Sequence, residues 1–491
     1  MPDIKAQTLH GVKWTAVNKF SSTIVGFLIG VVLARLLTPT DYGTVGMIGI
    51  FFAIAGVFTD SGFGMALVRA KTVSEEDLST VFYFNIGMSV LCYAVLFFAA
   101  PFIADFFNMP MLKDLVRISG LTLVIGSIGG VQFNMMTRNV NFKVPAMLNV
   151  ISQIISGMVG IACAYMGMGA WALVISSITS MLIRQIGVWF FSSWRPKLLF
   201  SKDSFHQLFS FGSKVLASNL LGTFFGQIQG LLIGKFYTPH DLGIYSKGHQ
   251  TSSMPVDFIY GLVGGVTLPI LSRMQDDDEL LLRVYRKYIK VCSLLTFFCL
   301  VLVCALAKPL IVFLYTDKWL PAVIFVQIFC FRDMFYHIHA ININLLLAKG
   351  RSDLNLRIEI IKRSLTLLVL LVVLPFGLLP FCIAGVVTGQ LALLVNTYYT
   401  KRLFNYGYFQ QWADFLPYLL LAFIACIPAF LLVYVGLPHL LTLILGTVVS
   451  AVLYFGVLLM KKDEYLRELI LISPLKKFIN GSREKKRKDR F

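Results

Sequence analysis

Fourteen stretches of about twenty mostly apolar residues, divided by short polar breaks, take up almost the whole chain. Each is long enough to cross ~30 Å of hydrocarbon as a helix. They lie at roughly 12–37, 44–68, 79–104, 114–136, 145–166 and 168–191, then 207–235, 244–271, 287–315, 319–347, 354–377 and 379–400, and last 413–436 and 438–460. Lipid offers the backbone no hydrogen-bond partners, so runs of this length must satisfy their own amides and carbonyls by coiling into helices. The expected fold is therefore an all-α polytopic membrane protein with about fourteen transmembrane helices. Composition agrees: 57% of residues are hydrophobic and only 14% charged, against about 25% charged in soluble domains.

An internal repeat organises these runs. Thr38-Pro39-Thr40-Asp41-Tyr42-Gly43 returns as Thr238-Pro239-His240-Asp241-Leu242-Gly243. The helix before each copy carries a Lys and an Asn near its start, Lys13 with Asn18 and Lys214 with Asn219. As Pro presets φ for a turn and Gly tolerates φ > 0, each copy reads as a turn. Two similar halves follow, each of six helices. Six being even, the halves share an orientation, and a pseudo-two-fold along the membrane normal should relate them. The expected domains are an N-terminal six-helix lobe at 1–200, a C-terminal six-helix lobe at 201–405, two additional helices at 406–460 and a basic tail at 461–491.

The formal charge of +18 would suggest nucleic acid in a soluble protein. Here the cations sit in the breaks, where they determine topology instead. One alternate set of loops holds Arg69 and Lys71, Arg138 and Lys143, Arg195 with Lys197 and Lys202, the run from Arg273 to Lys290, Lys349 with Arg351, and Lys401 with Arg402. The other set, including both repeated turns, is nearly free of them. Both termini are thus expected in the cytoplasm. Met1 to His10 lacks the features of a cleaved signal peptide, so the first helix should act as the targeting signal. The tail from Lys461 to Phe491, with eleven basic and five acidic residues, is expected to be disordered and to lie on anionic membrane lipid. Eight scattered Cys without a C-x-x-C pair read as small buried hydrophobes, with no metal site. No P-loop or H-E-x-x-H motif occurs, and the loops are short. That argues against ATP hydrolysis and against an enzyme in general.

An ionisable side chain facing lipid at mid-membrane costs about 2.5–3.5 kcal/mol even on lenient scales, so those inside the runs must face each other or a wet cavity. Several lie at some depth: Lys19, Asp60, Arg184, Lys214, Lys247, Asp257, Arg332 and Asp333, with His337 and His339. The tenth run is densest, and its Asp333 and His337, four apart, should share a helix face, as should Arg332 and Tyr336. Such a cluster either lines a cavity that binds substrate or carries a proton, or ties helices together by salt bridges. On the eighth run Pro255 is expected to interrupt a helix rich in Gly261, Gly264 and Gly265. Asp60 reads as a cap at a kink or an ion site. Gln227, Gln229, Asn149 and Gln153 read as helix bridges or sugar contacts. Deep cations outnumber deep acids, which suits an anionic cargo.

The stretches Ala34 to Gly43, Asp60-Ser61-Gly62, Ala66 to Arg69, Gly234 to Tyr245 and Leu268 to Arg273 resemble the polysaccharide-transporter branch of the multidrug, oligosaccharidyl-lipid and polysaccharide exporter superfamily. That resemblance spans the chain from the first helix to the last. It implies two lobes facing a central cavity, and a flippase for undecaprenyl-pyrophosphate-linked oligosaccharide in O-antigen, capsule or exopolysaccharide assembly. The location implied is the bacterial cytoplasmic (inner) membrane. A polysaccharide polymerase and other assembly proteins would be partners. No cofactor is expected beyond coupling to H+ or Na+. The expected substrate-binding residues are Lys19, Arg184, Lys214 and Arg332, and the expected ion-coupling residues are Asp333, His337, Asp257 and Asp60. Competing readings are a multidrug or metabolite cation antiporter of the same fold and a membrane glycosyltransferase or ligase.

Overall fold

The structure is a computed structural model. It describes residues 4–472, and the side chains of all of these except 4–19, 262–266 and 470–472. Among the described residues there is no strand. The helices of the first half are α1 (Ile4–Leu36), α2 (Pro39–Asp60), α3 (Phe63–Arg69), α4 (Glu75–Phe106), α5 (Met111–Ser119), α6 (Leu121–Ile128), α7 (Gly130–Arg138), α8 (Lys143–Tyr165), α9 (Ala170–Phe191) and α10 (Lys202–Phe236). There follow α11 (Pro239–Ser272), α12 (Asp278–Ala305), α13 (Ala307–Tyr315), α14 (Ala322–Asp333), α15 (Tyr336–Ala348), α16 (Ser352–Val373), α17 (Leu378–Phe404), α18 (Tyr408–Leu432), α19 (His439–Met460) and α20 (Glu464–Ile472).

Helix underlies every one of the fourteen apolar runs. Among the described residues nine helices are long and apolar enough to cross a membrane, ten when the bent pair Met111–Ile128 and Gly130–Arg138 counts as one. The other four runs fall on α1, α11, α14 with α15, and α16, so fourteen crossings are compatible with the structure. The chain forms two compact units, Met1–Ser246 and Lys247–Phe491. The division falls within α11, and the six-plus-six lobes remain an expectation.

Four expectations are corrected. Pro255 does not interrupt the eighth run, because α11 continues through both Pro255 and Pro269. The breaks lie elsewhere. Ser61 and Gly62, at φ 48° and 74°, separate α2 from α3, and the fourth run bends by 44° between α6 and α7. The repeated hexapeptide is also more than a turn. Thr38 caps α2, Pro39 opens it, and Asp41 completes a capping box in which the Thr38 amide and hydroxyl donate to Asp41 Oδ2 at 2.8 and 2.7 Å. Thr238 and Asp241 make the same bonds at 3.1 and 2.7 Å. The closing glycine is not a positive-φ residue in either copy. A Cβ on Gly43 would sit 1.7 Å from the Pro239 carbonyl oxygen, and one on Gly243 would sit 1.8 Å from that of Pro39. Each glycine is where one repeat lets the other touch its backbone, so a local two-fold relates the two turns. Last, the tail does not begin disordered: α20 is helical, and Lys287 donates to Glu468 at 2.7 Å. The rest of the basic tail lies outside the described residues.

Within each unit loops of the basic set lie together, and in the first unit loops of the other set do so too. In the first unit Arg138 donates to the carbonyls of Leu67 and Lys71 at 2.7 and 3.0 Å, and Lys197 lies 3.7 Å from Glu75. In the second, Lys349 donates to the Gln275 carbonyl at 2.6 Å. These form the basic ends. At the other end of the first unit, beside the repeated turns, Lys235 reaches the Phe106 carbonyl at 2.5 Å. The core beneath the first break joins Phe63, Phe82, Val131 and Leu208.

Candidate functional site

The polar cluster of the second unit is built around the end of α14. The tenth run breaks at Met334 and Phe335, and the chain resumes as α15. At the break Arg332 Nε donates to Asp333 Oδ1 at 2.8 Å, and the guanidinium lies over the Phe329 ring at 4.6 Å. The second oxygen of Asp333 accepts from the Ser252 hydroxyl of α11 at 2.9 Å. His249, one turn before Ser252, packs its ring edge-on against Phe329 at 5.5 Å. The ion pair is largely shielded, with side-chain exposures of 19% and 13%. A charge pair taken out of water persists only where hydrogen bonds satisfy its remaining atoms, and here a hydroxyl from the neighbouring helix does so.

The break also separates Asp333 from His337, which do not form the expected i,i+4 pair. His337 is fully buried and turned to α12, its Nε2 lying 2.8 Å from the Ser293 hydroxyl. Arg332 and Tyr336 are divided in the same way, and Tyr336 packs on Tyr260 at 5.5 Å. Asp257, on the same stretch of α11, is exposed. His339 pairs with Asn396 of α17 at 2.9 Å. Lys247 is buried, donating to Gln250 Oε1 at 3.2 Å with its ammonium 4.7 Å from the Tyr315 ring and 5.6 Å from that of Trp319.

The remaining expected residues lie in the first unit. Lys214 is exposed on α10, and Arg184 is half-buried on α9, its Nη2 3.2 Å from the Met181 sulfur. Lys19 falls outside the described side chains. Asp60 ends α2 and accepts from the amides of Gly62 and Gly64 across the first break, the geometry of a cap. Gln229 bridges helices, accepting from the Tyr245 hydroxyl at 2.7 Å. So the structure brings Asp333 and Arg332 together, and of the other expected residues it gives His337, Arg184 and Asp60 partners apart from that pair, on α12, at Met181 and at the first break.

Two further polar clusters tie helices of the second unit together. Asp414, at the start of α18, accepts both nitrogens of Arg286 at 2.7 and 2.9 Å, the Tyr406 hydroxyl at 2.6 Å and the Lys290 ammonium at 3.1 Å. Arg286 and Lys290 are four apart on α12, which was the available signal. Deeper in, Asn342 Oδ1 accepts from Tyr285 at 2.9 Å and Thr400 at 2.8 Å, and its Nδ2 donates to Gln411 at 3.0 Å, all buried. Together these knots bind α18 to α12, α15 and α17.

A family model described as "Polysaccharide biosynthesis protein" matches residues 32–324. The chain belongs to the polysaccharide biosynthesis protein family. Over 357 residues, 72% of this chain and 74% of the relative, it is 29% identical to the teichuronic acid biosynthesis protein TuaB of Bacillus subtilis (strain 168). Over 319 residues, 65% of each chain, it is 24% identical to the succinoglycan biosynthesis transport protein ExoT of Rhizobium meliloti (strain 1021). Its fold is that of the lipid II flippase MurJ in an inward closed conformation, at a TM-score of 0.73 and 16% identity, covering 93% of this chain and 99% of that one. It is a multi-pass membrane protein of that fold.

Proposed function

We propose that the chain flips an undecaprenyl-pyrophosphate-linked oligosaccharide across the bacterial inner membrane, from the cytoplasmic to the periplasmic leaflet, for O-antigen, capsule or exopolysaccharide assembly. The family and the relatives named for polysaccharide biosynthesis and transport support this reading. In it the basic ends of both units, and both termini, face the cytoplasm, and the lobes at 1–200 and 201–405 rock to give alternating access. The protein performs no chemistry on its cargo. The reciprocal glycine contact between the two repeated turns is a joint that opens when the cargo is released outward.

The observation that carries a mechanism is the shielded Arg332–Asp333 pair at a helix break inside an apolar span. Arg332 binds the pyrophosphate, for which a planar guanidinium is a good bidentate donor. Phosphate oxygens then compete with Asp333 for the guanidinium, and the displaced carboxylate, still bonded to Ser252, takes up a proton or sodium ion. Binding of cargo and ion thereby become linked, and the coupling is reciprocal. Arg184 and Lys214 remain candidate contacts for the anionic cargo. A polymerase that consumes the delivered unit is the expected partner.

The test is leaflet sidedness of a labelled lipid-linked oligosaccharide in liposomes containing the purified chain, with a proton or a sodium gradient on or off. Wild type is expected to move the lipid unmodified, Arg332→Ala to move almost none, and Asp333→Asn to move it without responding to the gradient. Transfer of the sugar to another acceptor would reveal a transferase instead. Transport of a small cation with no lipid movement would reveal an antiporter.

A further inference from the structure

At the basic end of the second unit, where α16 begins and α17 finishes, the two helices enclose a cavity of about 330 Å³ lined by Arg351, Leu354, Arg357, Tyr398, Tyr399 and Arg402. The spacing explains the convergence. Leu354 and Arg357 are three apart on α16, and Tyr398 and Arg402 are four apart on α17, so each pair shares a face. The volume is at the small end of the roughly 300–1,000 Å³ typical of ligand pockets.

Its charge is not balanced from within. Arg351 makes a bidentate bond to Asp353, 2.9 Å at both nitrogens. That guanidinium holds the Asp353 carboxyl down at about 2, so the two cancel. Glu359, the next acid along α16, is held by Lys362 at 2.9 Å and Arg363 at 3.1 Å. Among the described residues no carboxylate pairs with Arg357 or Arg402. Two guanidinium groups with no carboxylate partner among the described residues line one cavity, beside two tyrosine hydroxyls that can donate to an anion.

The flank of the cavity is apolar. Leu356, Ile360 and Ile361 of α16 and Leu394 of α17 are all exposed. Tyr398 is exposed as well, as is usual for tyrosines at the membrane interface. A soluble anion would use the arginines and gain nothing from that flank. A phospholipid would use both.

The geometry points to a binding site for the phosphate head group of an anionic bilayer phospholipid, its oxygens on Arg357 and Arg402 and its acyl chains along the exposed face of α16. Basic pockets between spanning helices at the cytoplasmic side commonly hold such head groups. The site does not depend on the flippase reading.

The experiment uses the full chain in mild detergent, with native mass spectrometry and thermal melting as readouts. The probes are short-chain phosphatidylglycerol, phosphatidylcholine, inorganic phosphate and undecaprenyl pyrophosphate. Wild type should bind phosphatidylglycerol and melt at a higher temperature with it, and should ignore phosphatidylcholine and phosphate. The double substitution R357Q with R402Q should weaken phosphatidylglycerol at least about tenfold, equivalent to about 1.4 kcal/mol, whereas Arg402→Lys should retain most of the binding. If the double variant does not fold, Arg357→Gln alone should still show a measurable loss. Equal binding by wild type and variants overturns the assignment. So does stabilisation by inorganic phosphate alone, which would make the cavity a free-anion site. Displacement of phosphatidylglycerol by undecaprenyl pyrophosphate in wild type but not in the double variant would also overturn it, making the cavity a cargo site.

Discussion

Gly43→Ala should open the joint between the repeated turns. The added Cβ would lie 1.7 Å from the Pro239 carbonyl oxygen, 2.6 Å from its carbon and 3.0 Å from the Gly243 amide nitrogen. Non-bonded carbons sit comfortably at about 3.5–4.0 Å, so the two backbones must part by nearly 2 Å. Overpacking a core with movable side chains costs about 1–3 kcal/mol, and here the obstacles are backbone atoms with no rotamer to change. A penalty of at least about 3 kcal/mol on the touching state is expected, enough to shift a two-state equilibrium by about two orders of magnitude. Leu242, which is 2% exposed, reports on it. In a background with the eight native Cys replaced, Leu242→Cys should react with a membrane-impermeant maleimide far faster beside Gly43→Ala than beside Gly43. Gly243→Ala should have the same effect through Pro39. Unchanged labelling together with normal lipid transport would refute both the contact and its role as a joint.

Other expectations are simpler to check. Asp414→Ala leaves Arg286, Lys290 and the Tyr406 hydroxyl without their carboxylate and, since Arg286 is partly solvated, should lower stability by about 1–3 kcal/mol; denaturant or thermal unfolding measures it, and Asp414→Asn should cost less. Thr38→Ala and Thr238→Ala remove equivalent caps and should each cost about 1 kcal/mol. Markedly unequal losses in melting experiments would argue against equivalence of the two turns.

The repeat was legible because it is local. A Thr cap, a Pro at the first helical position and an Asp three residues after the cap specify a helix start without help from the rest of the chain. The glycine that closes it was misread as a turn residue, since close approach depends on a partner two hundred residues away. The fourteen runs were legible from length and hydropathy; of the breaks inside them only the kink at Asp60 was. Ser61–Gly62 and Met334–Phe335 interrupt helices without a proline, while Pro255 sits in an unbroken one. Arg332 and Asp333 were found as charges in an apolar run. Their partner Ser252 could not be, because one serine in a helix gives no sign of which neighbour it faces. Asp414 stood at the edge of a run, where a charge looks like solvated loop.

The breaks themselves supply the argument about which buried charges are coupling sites. Backbone groups freed inside a membrane must find internal partners. At the bend between α6 and α7, Gln185 donates to the Gly126 carbonyl at 3.1 Å and Trp189 to that of Ile128 at 2.8 Å, so side chains of α9 satisfy what the helix gives up. Asp60 plays the same part for the amides of Gly62 and Gly64. Asn keeps a carbonyl oxygen that can accept those bonds but cannot carry the charge. Asp60→Asn should therefore fold and flip lipid with little change if Asp60 is a cap, and Asp60→Leu should lose about 1–3 kcal/mol through the orphaned amides. If Asp60→Asn instead melts like wild type but loses its response to the ion gradient, the charge itself is used. Asp60 would then be a coupling group as proposed for Asp333, with the cap as the scaffold that holds it at the break.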